Sequence, residues 1–332
     1  MSTPPVLPAA GAEGVPGGRS AGDAGHGALR RSGGGRGGGA GRGPGRAGRA
    51  AGQPRSWRSS RLMANTLTYL FLIAGALLMI GPFIFSVMTA LKTPQQFNTT
   101  WPLTLPDPVT GENFVALFGE RYDFIVPIAV TAQVVLVLVI GQMVTSILAA
   151  YAFAQLRFPG RDVLFWIYVS TLMIPAVVTI IPLYSMMTSM DLKNTFAGLV
   201  LPFMFGSPYA IFLLRENFRS TPADVMDAAT IDGAGPVRRL VQVLLPMNKP
   251  ILATLLLITV VTQWNNFMWP LIIAPAPEWN VITVATAALQ TQYAGNWTLV
   301  MAATTIALAP LVVLFLIFQR QITSSLGVTG VR

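Results

Sequence analysis

Six long apolar runs constrain this chain more than any other feature of its sequence. They occupy residues 64–91, 126–155, 163–190, 197–214, 251–273 and 299–318, and none contains Asp, Glu, Lys, Arg or His. An apolar helix of roughly 20 residues spans a bilayer. The chain is 53% hydrophobic and only 11% charged, whereas a soluble domain carries roughly a quarter charged residues. The sequence therefore predicts an all-α, polytopic membrane protein with six transmembrane helices.

The distribution of basic residues indicates how these helices cross the membrane. The loops 156–162 and 215–250 carry two and five Lys or Arg residues, Arg61 precedes the first run, and Arg320 follows the last. The connections 92–125, 191–196 and 274–297 hold few cations and several acids. Because basic loops remain in the cytoplasm, the pattern predicts that both termini are cytoplasmic.

Residues 1–61 differ in character from the rest of the chain. They are rich in Gly, Ala, Pro and Arg and hold most of the net charge of +9. Such a segment buries too little apolar surface to fold, so we expect a disordered cytoplasmic tail before a six-helix domain at residues 62–332. An RNA-binding arm is an alternative function for the tail, although no nucleic-acid partner is predicted. A further alternative is that translation begins at Met63.

Several kinds of chemistry are absent from the sequence. There is no cysteine, the single histidine (His26) lies in the tail, and no phosphate-binding loop of the G-x-x-x-x-G-K-[ST] type occurs. A membrane enzyme is therefore disfavoured, and any ATP must bind to another chain. A proton- or sodium-coupled carrier usually needs ionisable residues at membrane depth, and the apolar runs contain none.

Neutral polar residues do occur at membrane depth. They are Gln133, Gln142, Thr145 and Ser146 in the second run, and Gln263, Asn265 and Asn266 beside Trp264 in the fifth. Such residues often tie helices together. Amides and an indole also suit an uncharged, hydroxyl-rich solute. The candidate residues for a solute path are Gln142, Trp264, Asn265 and Asn266.

The loop 215–250 contains a predicted short helix outside the membrane, at about 222–232. Thr221 is a suitable N-cap, Pro222 suits the first helical position, and Asp224 lies near the positive end of the helix. Gly233 stands where a helix ends in the left-handed conformation. One shallow face of this helix carries Val225, Ala228, Ala229 and Asp232. A second amphipathic piece is expected at 237–244.

This loop resembles the EAA loop of ABC-importer permeases. The stretch 227–234 (DAATIDGA), followed by Leu240 and by Leu245-Pro246, follows that pattern, with Asp227 in place of the usual Glu and Leu240 in place of the common Phe. The stretches 151–160 (YAFAQLRFPG), 181–184 (IPLY), 192–195 (LKNT) and 263–270 (QWNNFMWP) are similar to carbohydrate-uptake permeases related to the maltose system. The end of the chain, 319–332, is also similar to that family's C-terminal tail.

The resemblance implies a permease subunit of an ATP-driven importer in the bacterial cell membrane, most simply one for a sugar or related polyol. It implies a coupling loop at 215–250 that docks on an ATPase subunit through Asp224, Asp227, Ala228, Ala229, Asp232, Gly233, Ala234, Leu245 and Pro246. It also implies a second permease subunit in a heterodimer, two ATPase subunits that hold ATP and Mg, and an extracytoplasmic sugar-binding protein that touches loop 274–297. No cofactor is expected in this chain. The alternatives are an ABC permease for glycerol phosphate or peptide and, less simply, an ion-coupled carrier.

Overall fold

The computed structural model of the protein describes residues 56–292 and 296–327, with side chains described for 65–291 and 296–319. Most of the predicted tail at 1–61 and the end of the chain from 328 lie outside the described residues. The chain divides into two units, residues 1–62 and 63–332. The helical bundle belongs to the second unit.

The described residues form α-helices, three short 3-10 helices and one π-helix, and they include no strand. The α-helices are α1 (Ser56–Ala90), α2 (Pro94–Thr99), α3 (Glu112–Leu117), α4 (Ile125–Gln155), α5 (Arg161–Ser170), α6 (Ala176–Ser189), α7 (Phe196–Val200), α8 (Pro208–Arg219), α9 (Ala223–Ile231), α10 (Pro236–Arg238), α11 (Leu245–Met247), α12 (Lys249–Trp264), α13 (Met268–Ile273), α14 (Ile282–Gln292) and α15 (Trp297–Gly327).

Five of the six predicted spans are confirmed as long apolar helical segments. These are Asn65–Ala90, Ile125–Gln155, Phe196–Arg219, Lys249–Ile273 and Trp297–Gln319.

The third predicted span, 163–190, is wrong as a single helix. Its two halves, Arg161–Met173 and Ala176–Ser189, meet at an angle of 100°. Ile174, just before Pro175, is extended, with φ −82° and ψ 118°. A proline disfavours the helical conformation in the residue before it, and here that preference ends the first half.

The bent pair nevertheless runs along the bundle from one end of α4 to the other, because its two ends contact segments that lie at opposite ends of α4. At its start, Asp162 lies 3.1 Å from Arg215 of α8, close to the end of α4. Just after its end, the Asn194 N–H donates to the Ile273 carbonyl at 2.9 Å. The chain then continues to Ile282, whose N–H donates at 2.8 Å to Thr131 near the start of α4. The described residues therefore hold five long apolar helical segments and one bent pair that counts as the sixth span. Loops 156–162 and 215–250 lie together on what we call the loop side.

The fourth span is broken between α7 and α8, and polar side chains of α4 fill the break. The Gln142 amide donates to the Phe203 carbonyl at 2.6 Å, and the Ser207 N–H donates to the Ser146 hydroxyl at 3.2 Å. In lipid, a backbone group freed from a helix needs a partner inside the protein. These two residues of α4 supply partners at membrane depth.

A buried lysine organises the opposite side of the bundle, which we call the far side. The Lys92 side chain is 0% exposed, and its ammonium donates to the Pro102 carbonyl at 2.8 Å. Burial lowers the pKa of Lys92 below that of a free lysine, because desolvation penalises the charged form. Asn113 of α3 donates to the Lys92 carbonyl at 2.8 Å and accepts from Thr298 of α15 at 2.9 Å. The segment after α1 is thereby fastened over the start of α15.

Large apolar side chains remain uncovered on α1, α5, α6 and α15. On α1, Phe71 is 78% exposed and Leu78 is 80% exposed. A surface of this kind is unfavourable in water, and it is expected to face lipid tails or another subunit.

The close packing of α4 on the break predicts a specific stability effect. A Cβ added at Gly141 would lie 2.5 Å from the Met204 carbonyl oxygen. Gly141→Ala should therefore cost about 1–3 kcal/mol through overpacking. Gly75→Ala is the control, because no heavy atom lies within 4 Å of its added Cβ, and it should gain about 0.5–1 kcal/mol. Thermal unfolding in detergent measures both, and equal midpoints would contradict the packing described.

Candidate functional site

The helix predicted in loop 215–250 is present as α9, Ala223–Ile231, one residue shorter at each end than expected. Thr221 was predicted as the N-cap, and this is wrong: Pro222 occupies the cap, with φ −54° and ψ 132°. The Pro222 carbonyl accepts from the Val225 N–H at 3.2 Å, so the helix begins after the proline. Asp224 remains in the first turn, where a carboxylate is favourable.

The end of α9 agrees with the sequence prediction. Gly233 has φ +74°. Its N–H donates to the Thr230 carbonyl at 3.1 Å, and the Ala234 N–H donates to the Ala229 carbonyl at 2.9 Å. These two bonds form a Schellman motif, which requires a left-handed residue at the glycine position.

One side of α9 is exposed and combines carboxylates with an apolar residue. The residues on this side, which we call the motif face, are Asp224, Val225, Asp227, Ala228, Ile231 and Asp232. Ile231 is 86% exposed. The three carboxylates are exposed and pair with no described residue. An uncovered isoleucine among unpaired charges is typical of a surface that binds another protein.

The other side of α9 is fixed to the bundle. Met226 is 7% exposed and belongs to the same buried cluster as Phe218 of α8 and Leu240. A guanidinium nitrogen of Arg239 donates to the Thr230 hydroxyl at 3.1 Å. The motif face is therefore carried on a helix that the transmembrane core holds in place.

Two predicted coupling residues, Leu245 and Pro246, lie in the segment after α9 that packs on the bundle, and not on the motif face. Leu245 packs against the buried cluster that holds Met226, and Pro246 is exposed. The turn before them, Arg239–Leu244, is a π-helix in which the Leu245 N–H bonds to the Leu240 carbonyl. This wider turn accommodates Pro246, whose ring would clash in a regular helix.

Arg215 is a residue whose role sequence reasoning missed, because it was counted only as a basic flank of the fourth span. It is 4% exposed, and it bonds Glu216 at 2.7 Å and Asp162 at 3.1 Å. Its guanidinium also lies 3.9 Å from the centre of the Phe165 ring and 3.4 Å from the Phe153 carbonyl. Arg215 thus joins α4, α5 and α8 where loop 215–250 begins.

The four predicted path residues do not lie together. Gln142 lines a cavity of about 500 Å³ between the second, third, fourth and fifth spans. Trp264 is 8% exposed, and its indole N–H donates to the Ala307 carbonyl of α15 at 3.0 Å. Asn265 bonds the Val261 carbonyl of its own helix at 2.8 Å, and Asn266 is half-buried. Neither asparagine lines this cavity.

Three other polar residues, all on α12, line the same cavity: Thr259, Thr262 and Gln263. Of these, only Gln263 had been singled out from the sequence. Their spacing of i, i+3 and i+4 places them on one helix face, which is the sequence signal that identifies them.

The sequence resembles known membrane components of transport systems. Residues 142–328 match a family described as the binding-protein-dependent transport system inner membrane component. An arabino-oligosaccharide transport system permease of Halalkalibacterium halodurans is 30% identical over 68% of this chain and 81% of the relative. An sn-glycerol-3-phosphate transport system permease of Yersinia pestis is 32% identical over 76% of this chain and 92% of the relative.

Two solved structures share the fold. A bacterial ABC transporter that imports the acidic polysaccharide alginate has a chain of TM-score 0.68 and 22% identity, covering 81% of this chain and 98% of that chain. The same kind of transporter in complex with a periplasmic protein bound to an alginate pentasaccharide has a TM-score of 0.56, with 17% identity over 80% of this chain and 97% of that chain.

The Arg215 contacts predict a large effect of one substitution on stability. Arg215→Ala removes charge-assisted hydrogen bonds and a cation–ring contact, and it should cost about 2–4 kcal/mol. Arg219→Ala is the matched control, because Arg219 is 52% exposed and lies 3.8 Å from Glu216. Arg215→Lys should recover only part of the loss, since it lacks the planar fork of donors. Thermal unfolding of the three variants measures the effect, and equal losses for Arg215→Ala and Arg219→Ala would contradict it.

Proposed function

The chain belongs to the family of binding-protein-dependent transport system inner membrane components, and on that premise we propose that it is the permease subunit of an ATP-driven importer that carries a sugar or related polyol into a bacterial cell. The observation that carries this proposal is the motif face of α9. It lies outside the spans, is exposed, and is rigidly attached to the transmembrane core through Met226.

The motif face is suited to an ATPase subunit as its partner. Its exposed Ile231 supplies an apolar contact, and the carboxylates of Asp224, Asp227 and Asp232 are available for cations of the partner. The Schellman turn at Gly233 sets where the helix ends and redirects the chain. We propose that ATP and Mg bind in two such ATPase subunits, since no phosphate-binding loop occurs in this chain.

The orientation that this docking requires is both termini in the cytoplasm. The basic loops 156–162 and 215–250 support it. Their meeting at Asp162 and Arg215, 3.1 Å apart, supports their lying on one side of the membrane. A loop outside the cell could not meet an ATPase, so the docking experiment below also tests the orientation.

The proposed partners on the far side are an extracytoplasmic solute-binding protein and, within the membrane, a second permease subunit in a heterodimer. A cavity of about 570 Å³ lies between residues 121–127 and 277–289 on the far side, and loop 274–297 is the candidate contact for the binding protein. The uncovered apolar side chains of α1, such as Phe71 and Leu78, leave room for a neighbouring subunit.

The proposed mechanism follows from the rigid attachment of α9. Closure of the ATPases on ATP draws the coupling helices together. Arg215 and Met226 fix the loop to α4, α5 and α8. A displacement of α9 therefore tilts these spans as a rigid body, and the solute path opens alternately to the two sides of the membrane.

A second solute class is favoured by a specific observation. Relatives of this chain in Rhizobium meliloti and Yersinia pestis are named sn-glycerol-3-phosphate transport system permeases. Import of glycerol phosphate is therefore the alternative to import of a neutral sugar. An ion-coupled carrier is disfavoured, because the family depends on a binding protein.

The energy source distinguishes the proposal from an ion-coupled carrier. The chain would be assembled in proteoliposomes with a candidate ATPase, second permease and solute-binding protein from the same organism. Uptake of radiolabelled arabinotriose and sn-glycerol 3-phosphate would be compared with internal ATP present and ionophores collapsing the proton and sodium gradients. We expect uptake of one solute to persist under these conditions and to stop without ATP. Uptake that ionophores abolish at constant ATP would contradict the proposal.

Gly233 provides a test of coupling that is separate from insertion. Gly233→Val forces a branched residue into the left-handed conformation, at a local cost of about 1–2 kcal/mol. Gly235→Val is the matched control: Gly235 is extended, with φ −65° and ψ 169°, and no heavy atom lies within 4 Å of its added Cβ. Both variants should insert normally, while only Gly233→Val should lose ATPase co-purification and stimulated hydrolysis. If the two variants behave alike, α9 is a connector without a coupling role.

A further inference from the structure

Two sets of polar side chains at membrane depth differ in their pairing. On α4, Gln142 bonds the Phe203 carbonyl at 2.6 Å, and Ser146 accepts from the Ser207 N–H at 3.2 Å. Those on one face of α12, which we call the α12 polar face (Thr259, Thr262 and Gln263), form no hydrogen bond through their side chains with any described residue.

Contact between the α12 polar face and lipid would be unfavourable in free energy. An unpaired hydroxyl or amide in hydrocarbon costs several kcal/mol. Thr259 is only 8% exposed and lines the cavity of about 500 Å³ together with Thr262 and Gln263. Polar groups that line a cavity and have no hydrogen-bond partner among the described residues are expected to meet water or a polar solute.

The position and size of the cavity suit a solute path. Thr259 lies ten residues beyond Lys249, the first residue of α12, which is about 15 Å along a helix and half of a hydrocarbon core of about 30 Å. The cavity volume also lies within the range of small-molecule sites, about 300–1,000 Å³.

The chemistry of the cavity is neutral. Its lining includes the amides of Gln142 and Gln263, several hydroxyls and the rings of Tyr168 and Tyr209, but no Asp, Glu, Lys, Arg or His. Amides and hydroxyls donate to and accept from sugar hydroxyls, and aromatic rings cover the apolar faces of sugars. Because the lining holds no cation, the free-energy cost of removing water from an anion would not be compensated there.

We propose that the α12 polar face lines the solute path in this subunit and that it admits uncharged, hydroxyl-rich solutes in preference to anionic ones. The inference rests on the proposed import function and refines it, because it favours a neutral sugar over glycerol phosphate. The competing explanation is that the same face packs against polar groups of the second permease.

Single cysteines test the exposure of this face, because the natural chain contains no cysteine. Thr262→Cys and Gln263→Cys would be compared with Val261→Cys, which lies on the same helix, is 38% exposed and points about 100° away from Thr262. In the complete complex in proteoliposomes, the uncharged reagent 2-hydroxyethyl methanethiosulfonate should label this chain at positions 262 and 263 but not at 261. A face covered by the second permease would leave positions 262 and 263 unlabelled, and this result would overturn the inference.

Charge selectivity is tested with the anionic analogue, 2-sulfonatoethyl methanethiosulfonate. After normalisation to the rates with a free thiol in solution, the uncharged reagent should react at position 263 about tenfold faster than the anion, because the path offers the anion no countercharge. A second variant, Thr262→Arg combined with Gln263→Cys, should remove that preference by supplying a cation. Equal normalised rates for the two reagents at Gln263→Cys would overturn the preference for uncharged solutes.

The Val261→Cys complex separates this inference from the proposed function. If it hydrolyses ATP on addition of the binding protein while positions 262 and 263 remain unlabelled, only the inference fails. If it does not respond to the binding protein at all, the proposed function fails, and the inference that rests on it fails as well.

Discussion

The structure depends on how backbone groups freed by the break in the fourth span are satisfied inside a membrane. Between α7 and α8 the helical hydrogen bonds are interrupted, and lipid offers no substitute. Gln142 and Ser146 of α4 provide partners at this point, and the Tyr168 hydroxyl donates to the Gly206 carbonyl. Gly141 lets the backbone at Met204 approach closely. The packing of α4 against α8 is built around this arrangement.

The same packing places the loop that carries the motif. Because α8 is held against α4, its last turn brings Arg215 to Asp162 and Phe165, and Phe218 joins the cluster that buries Met226. The α9 helix is then attached on one side and exposed on the other. A displacement of the motif face would therefore move the attached spans with it, and this attachment is what the proposed coupling to an ATPase would use.

Neutral polar residues at similar depth in this bundle have different roles. Gln142 and Trp264 use their N–H groups to tie spans together. Thr259, Thr262 and Gln263 line the same cavity as Gln142, but their side chains form no hydrogen bond with a described residue. Composition cannot separate these roles, because each residue type suits both. The separation comes from which backbone carbonyls lie within reach, and that depends on the packing of distant segments.

The sequence by itself determined the features that local chemistry controls. Apolar runs long enough for a bilayer predicted the spans, and Gly233 predicted the left-handed end of α9, since both depend on residues within a few turns. Tertiary structure decided the rest. Pro82, Pro182 and Pro310 lie inside helices, whereas the 100° bend of the third span falls at Pro175, and the pattern of prolines alone did not distinguish them. Other features likewise depend on partners that are distant in sequence and that no local pattern specifies: the burial of Arg215, the roles of Gln142 and Trp264, and the cavity beside α12. Phe203, for example, is 61 positions from Gln142, and Ser207 is 61 positions from Ser146.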